Sequence, residues 1–358
     1  MQDQIDDQIE MLNTANQMGI PVKFVEMGNE WYDNDNPTFP DGVAYANALN
    51  QWIPALRSAF EPPLLHIGVC AAASVTLGAN PKELNWNNQL FSNLTAYYNY
   101  VVLHIYPVHG NQLPAISQIP QFIQSRGWEW YANILAGNLN YSTTWNIPSG
   151  KRIWITEYAL LQRFSNQAPN VTNFVAGTWT HALTNATISL QLLRLNQTRL
   201  MDFNTICSGP MDGAIYPNNT AYSTAGKFSP SGKLLQLIGK ALDAKTTAHE
   251  LFPYNIPDDF GQRPLVGWLF QGSSDITIVI VNIMEESKSL DLTVNTLARP
   301  LQVLVLRCRY KFGDSVDGMC GKFFDGFFEP LEWFNILKFA CTDKRIPVSY
   351  THLRAHET

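Results

Sequence analysis

Short apolar runs alternate with longer amphipathic segments along the chain up to about residue 245. The apolar runs are rich in Val, Ile and aromatic residues and predict strands, while apolar residues spaced three or four apart in the longer segments predict helices. Runs that are apolar on both faces are typical of parallel strands covered by helices. The predicted strands are 22–26, 64–69, 100–105, 153–156 and 200–206, and the predicted helices are 43–60, 86–98, 116–135, 173–195 and 229–242.

Local signals refine three of the predicted helices. Apolar residues recur at helical spacing from residue 5 onwards, so the chain begins inside a predicted helix, and we interpret it as a fragment of a longer protein. Ser229 followed by Pro230 predicts the N-cap and first turn of the last helix. Pro54 lies inside the helix predicted at 43–60, and we expect it to kink or split that helix.

Five strand–helix units in this order predict a parallel sheet, either doubly wound or closed as a barrel. A doubly wound nucleotide-binding fold needs a glycine-rich phosphate loop, and neither GxGxxG nor GxxxxGK[ST] occurs in the sequence. Candidate functional residues at the ends of several strands favour the barrel. We therefore predict the α/β class, with a partial TIM (β/α)8 barrel over residues 1–246.

A different pattern begins after residue 246, where short runs alternate between apolar and polar positions. Such runs, separated by turn residues, predict a small antiparallel β-sandwich domain over residues 247–310, which is incomplete as it stands. We expect residues 311–358 to add no strand to it, and we interpret the end of this tail as translated adaptor sequence. The predicted strands of the sandwich are 265–271, 276–283, 290–294 and 301–306.

The composition excludes several classes of function. The chain has 358 residues, a net charge of -6 and 15% charged residues, without a basic run, so nucleic acid is excluded as a partner. No apolar run is long enough to cross a bilayer, which takes about 18 residues. The five Cys residues show no CxxC spacing and the seven His residues form no HExxH motif, so we expect neither a metal nor another cofactor.

Two glutamates stand where predicted strands end beside aromatic residues. Glu30 follows the strand at 22–26, and Glu157 follows the strand at 153–156. Breaking a glycosidic bond needs one carboxylic acid that protonates the leaving oxygen and one carboxylate that attacks or stabilises the anomeric carbon. Aromatic residues make up 12% of the chain, and flat rings are common stacking surfaces for sugars. The two glutamates therefore predict a glycosidase.

The Gly-Asn-Glu motif at 28–30 and the Thr-Glu-Tyr motif at 156–158 resemble clan A glycoside hydrolases of the α-L-arabinofuranosidase type. In that clan an Asn-Glu pair ends the fourth barrel strand and a second Glu ends the seventh, and two strands are predicted between the motifs here. The resemblance implies that residues 2–242 contain strands four to eight. It also implies that the first three strands, with the sugar-binding residues they carry, precede the chain.

The same resemblance implies a role for each motif residue. Glu30 would be the general acid/base, Glu157 the nucleophile, and Asn29 would bind the sugar hydroxyl next to the anomeric carbon, with retention of configuration. Retention requires carboxyl groups about 5 to 5.5 Å apart, and a separation of about 6.5 to 9.5 Å would indicate an inverting hydrolase instead. The alternative from another class is a catalytically silent carbohydrate-binding or structural barrel, because a fold alone does not determine function.

Further residues near the two glutamates complete the predicted site. Glu26 shares strand parity with Glu30, and we expect it to point into the barrel one layer deeper, in a structural role behind the site. His104 and Tyr106 share a face at the end of their strand, and the resemblance places them at the site, whereas a core histidine is the alternative. Trp31 and Tyr32 are candidate sugar-stacking rings, with packing inside the protein as the alternative. Tyr158 is a candidate hydrogen-bond donor to Glu157.

Six N-x-S/T sequons predict a eukaryotic secretory glycoprotein, located outside the cell or in a lysosome-type compartment. The expected partner is an oligosaccharide or polysaccharide, and arabinofuranosides, other furanosides, xylosides and galactosides all stay open as substrates. We predict no membrane partner and no obligate protein partner. The candidate glycosylation sites are Asn93, Asn140, Asn170, Asn185, Asn196 and Asn218.

We expect residues 1–358 expressed alone to be insoluble or molten, because the strand at 22–26 without its barrel neighbour exposes an unpaired apolar edge. The side-chain layers that fill a barrel would also be incomplete. The natural transcript is expected to continue upstream in frame with three more strand–helix units and a signal peptide. Solubility and thermal unfolding test the first expectation, which a soluble monomer with one cooperative transition would refute. A stop codon just upstream of Met1 would refute the second.

Overall fold

The computed structural model divides the chain into two compact units. The first unit comprises Met1–Tyr106, Trp130–Ala159 and Leu195–Asn204, and the second comprises Pro107–Glu129, Leu160–Arg194 and Thr205–Thr358. The residues that the structure describes are 2–60, 65–73, 81–106, 145–159, 179–193, 198–203, 213–215, 225–251, 265–273, 275–282, 290–292, 301–307, 336–339 and 346–348.

Five parallel strands form the sheet of the first unit, and their order in the sheet is their order in the sequence. This sheet curls as part of a barrel does, so the predicted partial TIM barrel is confirmed. All five predicted strands are observed, with ends that differ by a few residues from the prediction. The strands are β1 (Phe24–Glu26), β2 (His66–Cys70), β3 (Tyr100–Ile105), β4 (Arg152–Tyr158) and β5 (Thr198–Phe203).

Helices follow the strands on the outside of the sheet. Asp41 caps the second helix, because its side chain accepts a hydrogen bond from the backbone N–H of Ala44 at 2.8 Å. Tyr45, Leu49 and Ile53 lie on the buried face of this helix, as its apolar spacing predicts. The helices of this unit are α1 (Gln2–Gln17), α2 (Gly42–Ala59) and α3 (Pro81–Asn93).

Pro54 does not split α2, which runs without a break through it. The prolyl nitrogen carries no hydrogen, so one backbone carbonyl of the preceding turn loses its helical partner. Pro54 is exposed, and a carbonyl on the exposed side of a helix can bond to water instead. The helix predicted at 86–98 is α3 and begins earlier, at Pro81, while the helix predicted at 116–135 lies outside the described residues.

Large side chains fill the interior of the sheet one layer below the ends of the strands. Trp154 of β4 stacks on Tyr100 of β3 with ring centroids 4.3 Å apart, and Val102 completes this buried cluster. Gly68 of β2 faces the cluster, where an added Cβ would lie 2.6 Å from Val102 and 2.7 Å from the Trp154 ring. A side chain at residue 68 would therefore displace the ring that supports the strand ends.

The described residues of the second unit include two helices and a five-stranded sheet. Ser229 caps the second of these helices by accepting the Gly232 N–H at 3.1 Å, and Pro230 occupies its first turn, as predicted. The sheet order is β11–β10–β8–β7–β6, and β9 pairs with β12. The elements are α4 (Trp179–Leu192), α5 (Pro230–Leu242), β6 (Lys245–Glu250), β7 (Leu265–Gly272), β8 (Ile276–Asn282), β9 (Leu290–Leu292), β10 (Leu301–Arg307), β11 (Ile336–Phe339) and β12 (Ile346–Val348).

The predicted antiparallel sandwich is not confirmed. Strands β6, β7 and β8 pair antiparallel, but β8 and β10 are parallel. The prediction missed β6 because this strand is polar and mostly exposed, without apolar alternation. Strands β11 and β12 lie in the tail at 311–358, where no strand was expected, and they pair with β10 and β9.

Helices α4 and α5 pack on each other, and both contact strand β8 of the second unit. The predicted domain boundaries at residues 246 and 310 stay predictions. Among the described residues, none of the helices combines the length and the apolar character that crossing a membrane requires.

Gly42→Ala is expected to lower the free energy of unfolding by about 1–3 kcal/mol, the usual cost of forcing an extra methyl group into a packed contact. An added Cβ at residue 42 would lie 2.4 Å from the Trp86 carbonyl oxygen and 2.9 Å from the Leu90 nitrogen, so α2 and α3 would have to separate. Urea unfolding of the complete protein measures this change.

Gly239→Ala is the matched control for that substitution. Apart from its chain neighbours and the nearby backbone of α5, no described atom lies within 4 Å of an added Cβ at residue 239. Alanine also favours a helix interior by about 1 kcal/mol over glycine. The control should therefore be neutral or stabilising. If both alanine variants lost the same stability, the close contact between α2 and α3 would not be the cause.

Candidate active site

The C-terminal ends of β1, β3 and β4 bring four of the predicted residues together. Glu26 ends β1 and Glu30 follows it, His104 lies near the end of β3, and Glu157 lies near the end of β4. Parallel strands present their C-terminal ends at one edge of a sheet, and sites of parallel α/β folds form at that edge. One side-chain atom from each of Glu30, His104 and Glu157 lies within 4.8 Å of the other two. The two predicted carboxylates therefore share one site.

The imidazole of His104 lies buried at the centre of this site. Its Nδ1 is 3.1 Å from Glu30 Oε1 and 3.6 Å from Glu157 Oε2. Its Nε2 is 3.1 Å from Thr156 Oγ1 and 3.6 Å from Glu26 Oε1. One ring thus contacts three carboxylates, whose side chains are 27% to 32% exposed.

The carboxylates around the ring keep it protonated. Burial alone disfavours a charged histidine, but the contacts with Glu26 and Glu30 and the charge of Glu157 outweigh burial and raise the pKa of His104 to about 9. At neutral pH the ring is therefore an imidazolium, and both of its nitrogens donate hydrogen bonds. Glu26 is expected from the sequence to point into the barrel, and the charged ring of His104 is its positive partner there.

A buried tyrosine of α2 holds the turn that follows β1. Tyr45 donates its hydroxyl to the Met27 carbonyl at 2.7 Å and accepts the backbone N–H of Cys70 at 3.1 Å, so it ties the end of β1 to the end of β2. Gly28 comes next, with φ of 109°. A Cβ at that position would lie 1.5 Å from the Trp31 indole nitrogen, so both the backbone and the packing require glycine.

Glu30 itself adopts a left-handed backbone, with φ of 49°. This region is uncommon for residues other than glycine and costs on the order of 1–3 kcal/mol. Burial raises the pKa of the Cys70 thiol to about 12. The backbone N–H groups of Trp31 and Glu30 hydrogen-bond to this thiol and partly lower its pKa, so Cys70 contacts the backbone of the turn. The Tyr32 hydroxyl donates to Glu30 Oε1 at 3.4 Å. These neighbours hold Glu30 in its strained conformation.

A β-bulge in β4 aims Glu157 at the site. The register between β3 and β4 shifts after Leu103, so that His104 lies opposite Glu157 and Thr156 is the extra residue. Consecutive residues of a regular strand point to opposite faces, and a bulge removes that restriction. Thr156 and Glu157 therefore both contact His104. Tyr106 adds a hydrogen bond from its hydroxyl to Glu157 Oε2.

Asn29 and Trp31, on either side of Glu30, differ in how far they are exposed. Asn29 is exposed at the turn. Trp31 is half-buried, donates its indole N–H to the Met27 carbonyl at 3.2 Å and meets the Phe39 ring edge-on. The Trp31 indole is therefore engaged in packing within the protein. The contacts of Asn29 and Trp31 with a sugar stay predictions.

Two tyrosines of the predicted site are buried in the protein interior. Tyr158 packs edge-on against Phe203 of β5, with ring centroids 5.9 Å apart. Tyr32 is also buried and faces Glu30. The proposed hydrogen bond from Tyr158 to Glu157 stays a prediction, and the Tyr106 hydroxyl already donates to that carboxylate.

From the sequence alone, four residues at or near the site have no assigned role: Tyr45, Cys70, Thr156 and Asp202. Tyr45 and Cys70 look like ordinary core residues in the sequence, and the bulge that recruits Thr156 has no local signature. Asp202 lies on β5 with an exposed side chain, and partial removal from water and then the charge of Glu26 raise its pKa. A carboxylate between the apolar residues Met201 and Phe203 was the signal that could have identified Asp202.

Two of the six candidate glycosylation sites lie among the described residues. Asn93 is exposed at the end of α3, where a glycan has room. Asn185 is buried in α4, and its amide contacts the Ser231 hydroxyl at 3.3 Å. A glycan does not fit at Asn185 in this packing, so that expectation is wrong for the folded protein. The remaining four lie outside the described residues: Asn140, Asn170, Asn196 and Asn218.

Glu30, His104 and Glu157 are also close enough for a shared cation to be considered. A metal binds histidine through the lone pair of a neutral ring, so it competes with the proton. His104 is charged at neutral pH, and carboxylates face both of its nitrogens. The arrangement therefore suits proton transfer and charge stabilisation better than metal binding.

The pKa of His104 predicts how folding stability depends on pH. The folded-state pKa is about 9, above the ordinary value of 6.5, so the charged ring stabilises the folded protein. This contribution is fully present below about pH 6.5, and it is lost as the pH rises through about 9. Its size is roughly 3 kcal/mol, from the difference between the two pKa values.

Chemical unfolding of the complete protein at about pH 6 and about pH 9.5 measures this loss. His104→Gln is the control, because glutamine has no titrating group and should remove this part of the pH dependence. The same decline with pH in both proteins would show that other groups cause it.

No protein-family model and no curated protein sequence matches the chain significantly. Solved structures do match it. AbfB, a family 51 α-L-arabinofuranosidase from Bifidobacterium longum, matches with a TM-score of 0.55 and 13% identity, over 84% of this chain and 61% of that chain. The GH51 arabinofuranosidase from Xanthomonas axonopodis pv. citri matches with a TM-score of 0.51 and 12% identity, over 80% of this chain and 55% of that chain.

The chain thus spans 61% and 55% of the lengths of these two arabinofuranosidases. At 12–13% identity, the likeness concerns the fold alone. The two glutamate motifs predicted a resemblance to arabinofuranosidases, and this resemblance is confirmed for the fold. The chain has a fold similar to that of part of these two family 51 α-L-arabinofuranosidases.

Proposed function

We propose that the complete protein is a retaining glycoside hydrolase, with Glu30 as the general acid/base and Glu157 as the nucleophile. One observation carries the proposal: a carboxylate oxygen of Glu30 and one of Glu157 lie within 4.8 Å of each other at the strand ends. Retaining enzymes place their carboxyl groups about 5 to 5.5 Å apart, whereas inverting enzymes need about 6.5 to 9.5 Å to admit a water. One pair of oxygens this close is consistent with the smaller carboxyl separation, that of a retaining enzyme.

Two neighbours hold one oxygen of Glu157, which leaves the other oxygen placed for nucleophilic attack. Tyr106 donates a hydrogen bond to Oε2, and the charged ring of His104 lies 3.6 Å from the same oxygen. Hydrogen bonds and positive charge both stabilise a carboxylate. With Oε2 held by these groups, Oε1 is the oxygen that attacks the anomeric carbon.

The reaction then follows two steps. An oxygen of Glu157 bonds to the anomeric carbon while the glycosidic C–O bond breaks, and Glu30 gives its proton to the departing oxygen. Glu30, now a carboxylate, next takes a proton from a water, whose oxygen bonds to the anomeric carbon as the ester to Glu157 breaks. Each step inverts the anomeric carbon, so the product retains the starting configuration.

The proposed substrate is an oligosaccharide or polysaccharide that carries an arabinofuranoside or a related glycoside. The support is the fold shared with enzymes named as α-L-arabinofuranosidases. Asn29 is exposed at the turn beside Glu30, a position from which its amide could bind a sugar hydroxyl. We also propose a secretory location, and the exposed sequon at Asn93 is consistent with it.

Glu157→Gln in the complete enzyme is expected to lower activity by several orders of magnitude, on the scale seen when a covalent nucleophile is lost. Glu30→Ala is expected to retain turnover of substrates with good leaving groups, because these need little acid assistance. Azide should accelerate this variant and yield a glycosyl azide of retained configuration. Hydrolysis of a panel of aryl glycosides, with product analysis, measures these effects.

Glu10→Gln is the control, since Glu10 is exposed on α1 and its loss should leave the rates unchanged. Near-normal rates in both the Glu157 and Glu30 variants would show that the assignment is wrong. An inactive wild-type protein across the whole panel would instead favour a silent carbohydrate-binding or structural barrel.

A further inference from the structure

We propose that Glu26 is a positioning residue that keeps His104 positively charged, so that the ring determines which oxygen of Glu30 carries the transferable proton. The inference rests on the proposed role of Glu30 as general acid. Glu26 lies 3.6 Å from the Nε2 side of the ring, whereas Glu30 contacts Nδ1. Glu26 therefore acts through His104 and does not touch the reacting atoms.

Carboxylates face the His104 ring at both of its nitrogens. Nδ1 lies near Glu30 and Glu157, and Nε2 lies near Glu26. An ionised carboxylate only accepts hydrogen bonds, and a neutral imidazole has one N–H and one lone pair. A neutral ring would therefore turn a lone pair towards a carboxylate on one side. The doubly protonated ring alone satisfies both sides while Glu26 and Glu157 are ionised.

The charge of Glu26 is the reason why Nε2 must carry a hydrogen and donate it. The other group there is the Thr156 hydroxyl, 3.1 Å from Nε2, and a hydroxyl can donate as well as accept. Without a carboxylate at residue 26, this hydroxyl would be compatible with a lone pair on Nε2. Removal of the charge of Glu26 therefore makes the neutral ring accessible at a lower pH.

A ring that always donates from Nδ1 also selects between the two oxygens of Glu30. Oε1 faces two donors, the Nδ1–H of His104 at 3.1 Å and the Tyr32 hydroxyl at 3.4 Å. A protonated carboxyl has one carbonyl oxygen, which accepts, and one hydroxyl oxygen, which donates. Two donors make Oε1 the carbonyl oxygen, so Oε2 carries the acidic proton. A neutral ring with its lone pair on Nδ1 would favour the proton on Oε1 instead.

Titratable groups lie near the C-terminal ends of all five strands or directly after them. Burial raises the pKa of the Cys70 thiol to about 12, and burial and nearby charges raise the pKa of the Tyr32 phenol, so both are neutral at the pH of interest. Asp202 senses the charge of Glu26 from β5 but is not among the described groups that contact His104. In the part of the chain that the structure describes, these groups are Glu26, Glu30, Tyr32, Cys70, Tyr106, Glu157 and Asp202.

The first test follows the charge of His104 directly, in the full-length protein labelled with 15N-histidine. The ring signals of His104 are assigned by their loss in His104→Gln, and their shifts are followed against pH. The wild-type midpoint should lie near 9, and Glu26→Gln should lower it by about one pH unit or more. Glu26→Asp should restore much of the difference, because aspartate keeps the charge.

Asp202→Asn is the matched control, since it also removes one nearby carboxyl but not a contact of His104. It should leave the His104 midpoint almost unchanged. A wild-type midpoint near the ordinary 6.5 would overturn the inference without any variant. An equal shift in the two amide variants would also overturn it, because a general loss of negative charge would then explain the result.

The second test links the ring to acid catalysis. In Glu26→Gln, kcat/KM for a glycoside with a poor leaving group should fall about tenfold as the pH passes the midpoint measured for His104, a part of the roughly 10²- to 10⁴-fold that acid assistance supplies. Activated aryl glycosides should be little affected, because they need no proton. A residue that only supports the fold would lower both activities together, at every pH.

The outcomes separate this inference from the proposed function. If the wild-type protein hydrolyses glycosides but Glu26→Gln leaves the His104 midpoint in place, the inference fails and the proposed function stands. If His104 and its variants titrate as expected but the wild type hydrolyses nothing, the proposed function fails, and the effect of Glu26 on the charge of the ring stands.

Discussion

The positive charge of one buried imidazole is the constraint on which the site depends. His104 lies 3.1 to 3.6 Å from three carboxylates, which repel one another at one site when they are ionised. The imidazolium between them replaces that repulsion by attraction. Each neighbouring segment must therefore bring its residue to the same point: β1 brings Glu26, the turn after it Glu30, and β4 Glu157.

The residues that meet at this point could largely be predicted, because their placement depends on local periodicity. Apolar runs that stop at a charged residue mark the end of a buried strand, which identified Glu30 and Glu157 from the sequence. Alternation along a strand placed Glu26 and His104 on the interior face. The parallel order of the first five strands followed from the strand–helix repeats in the same way.

The remaining features depend on residues far apart in the sequence. The bulge at Thr156 exists because β4 pairs with β3 in a shifted register, and nothing in the local sequence encodes that shift. Tyr45 follows the apolar spacing of α2, which predicts its burial but not that its hydroxyl joins two strand ends. In the second unit, β10 pairs in parallel with β8, whereas alternating short strands predict only antiparallel neighbours.

The left-handed backbone of Glu30 has a consequence for how this site can change during evolution. Glycine adopts such a conformation without strain and asparagine with little, so either residue at this position would stabilise the turn while abolishing the carboxylate. If Glu30 is the acid/base proposed above, the relaxed backbone and the reaction place opposing demands on a single residue. A descendant without that reaction would be free to relieve the strain by replacing Glu30, and the residue found there would show whether the carboxylate was kept.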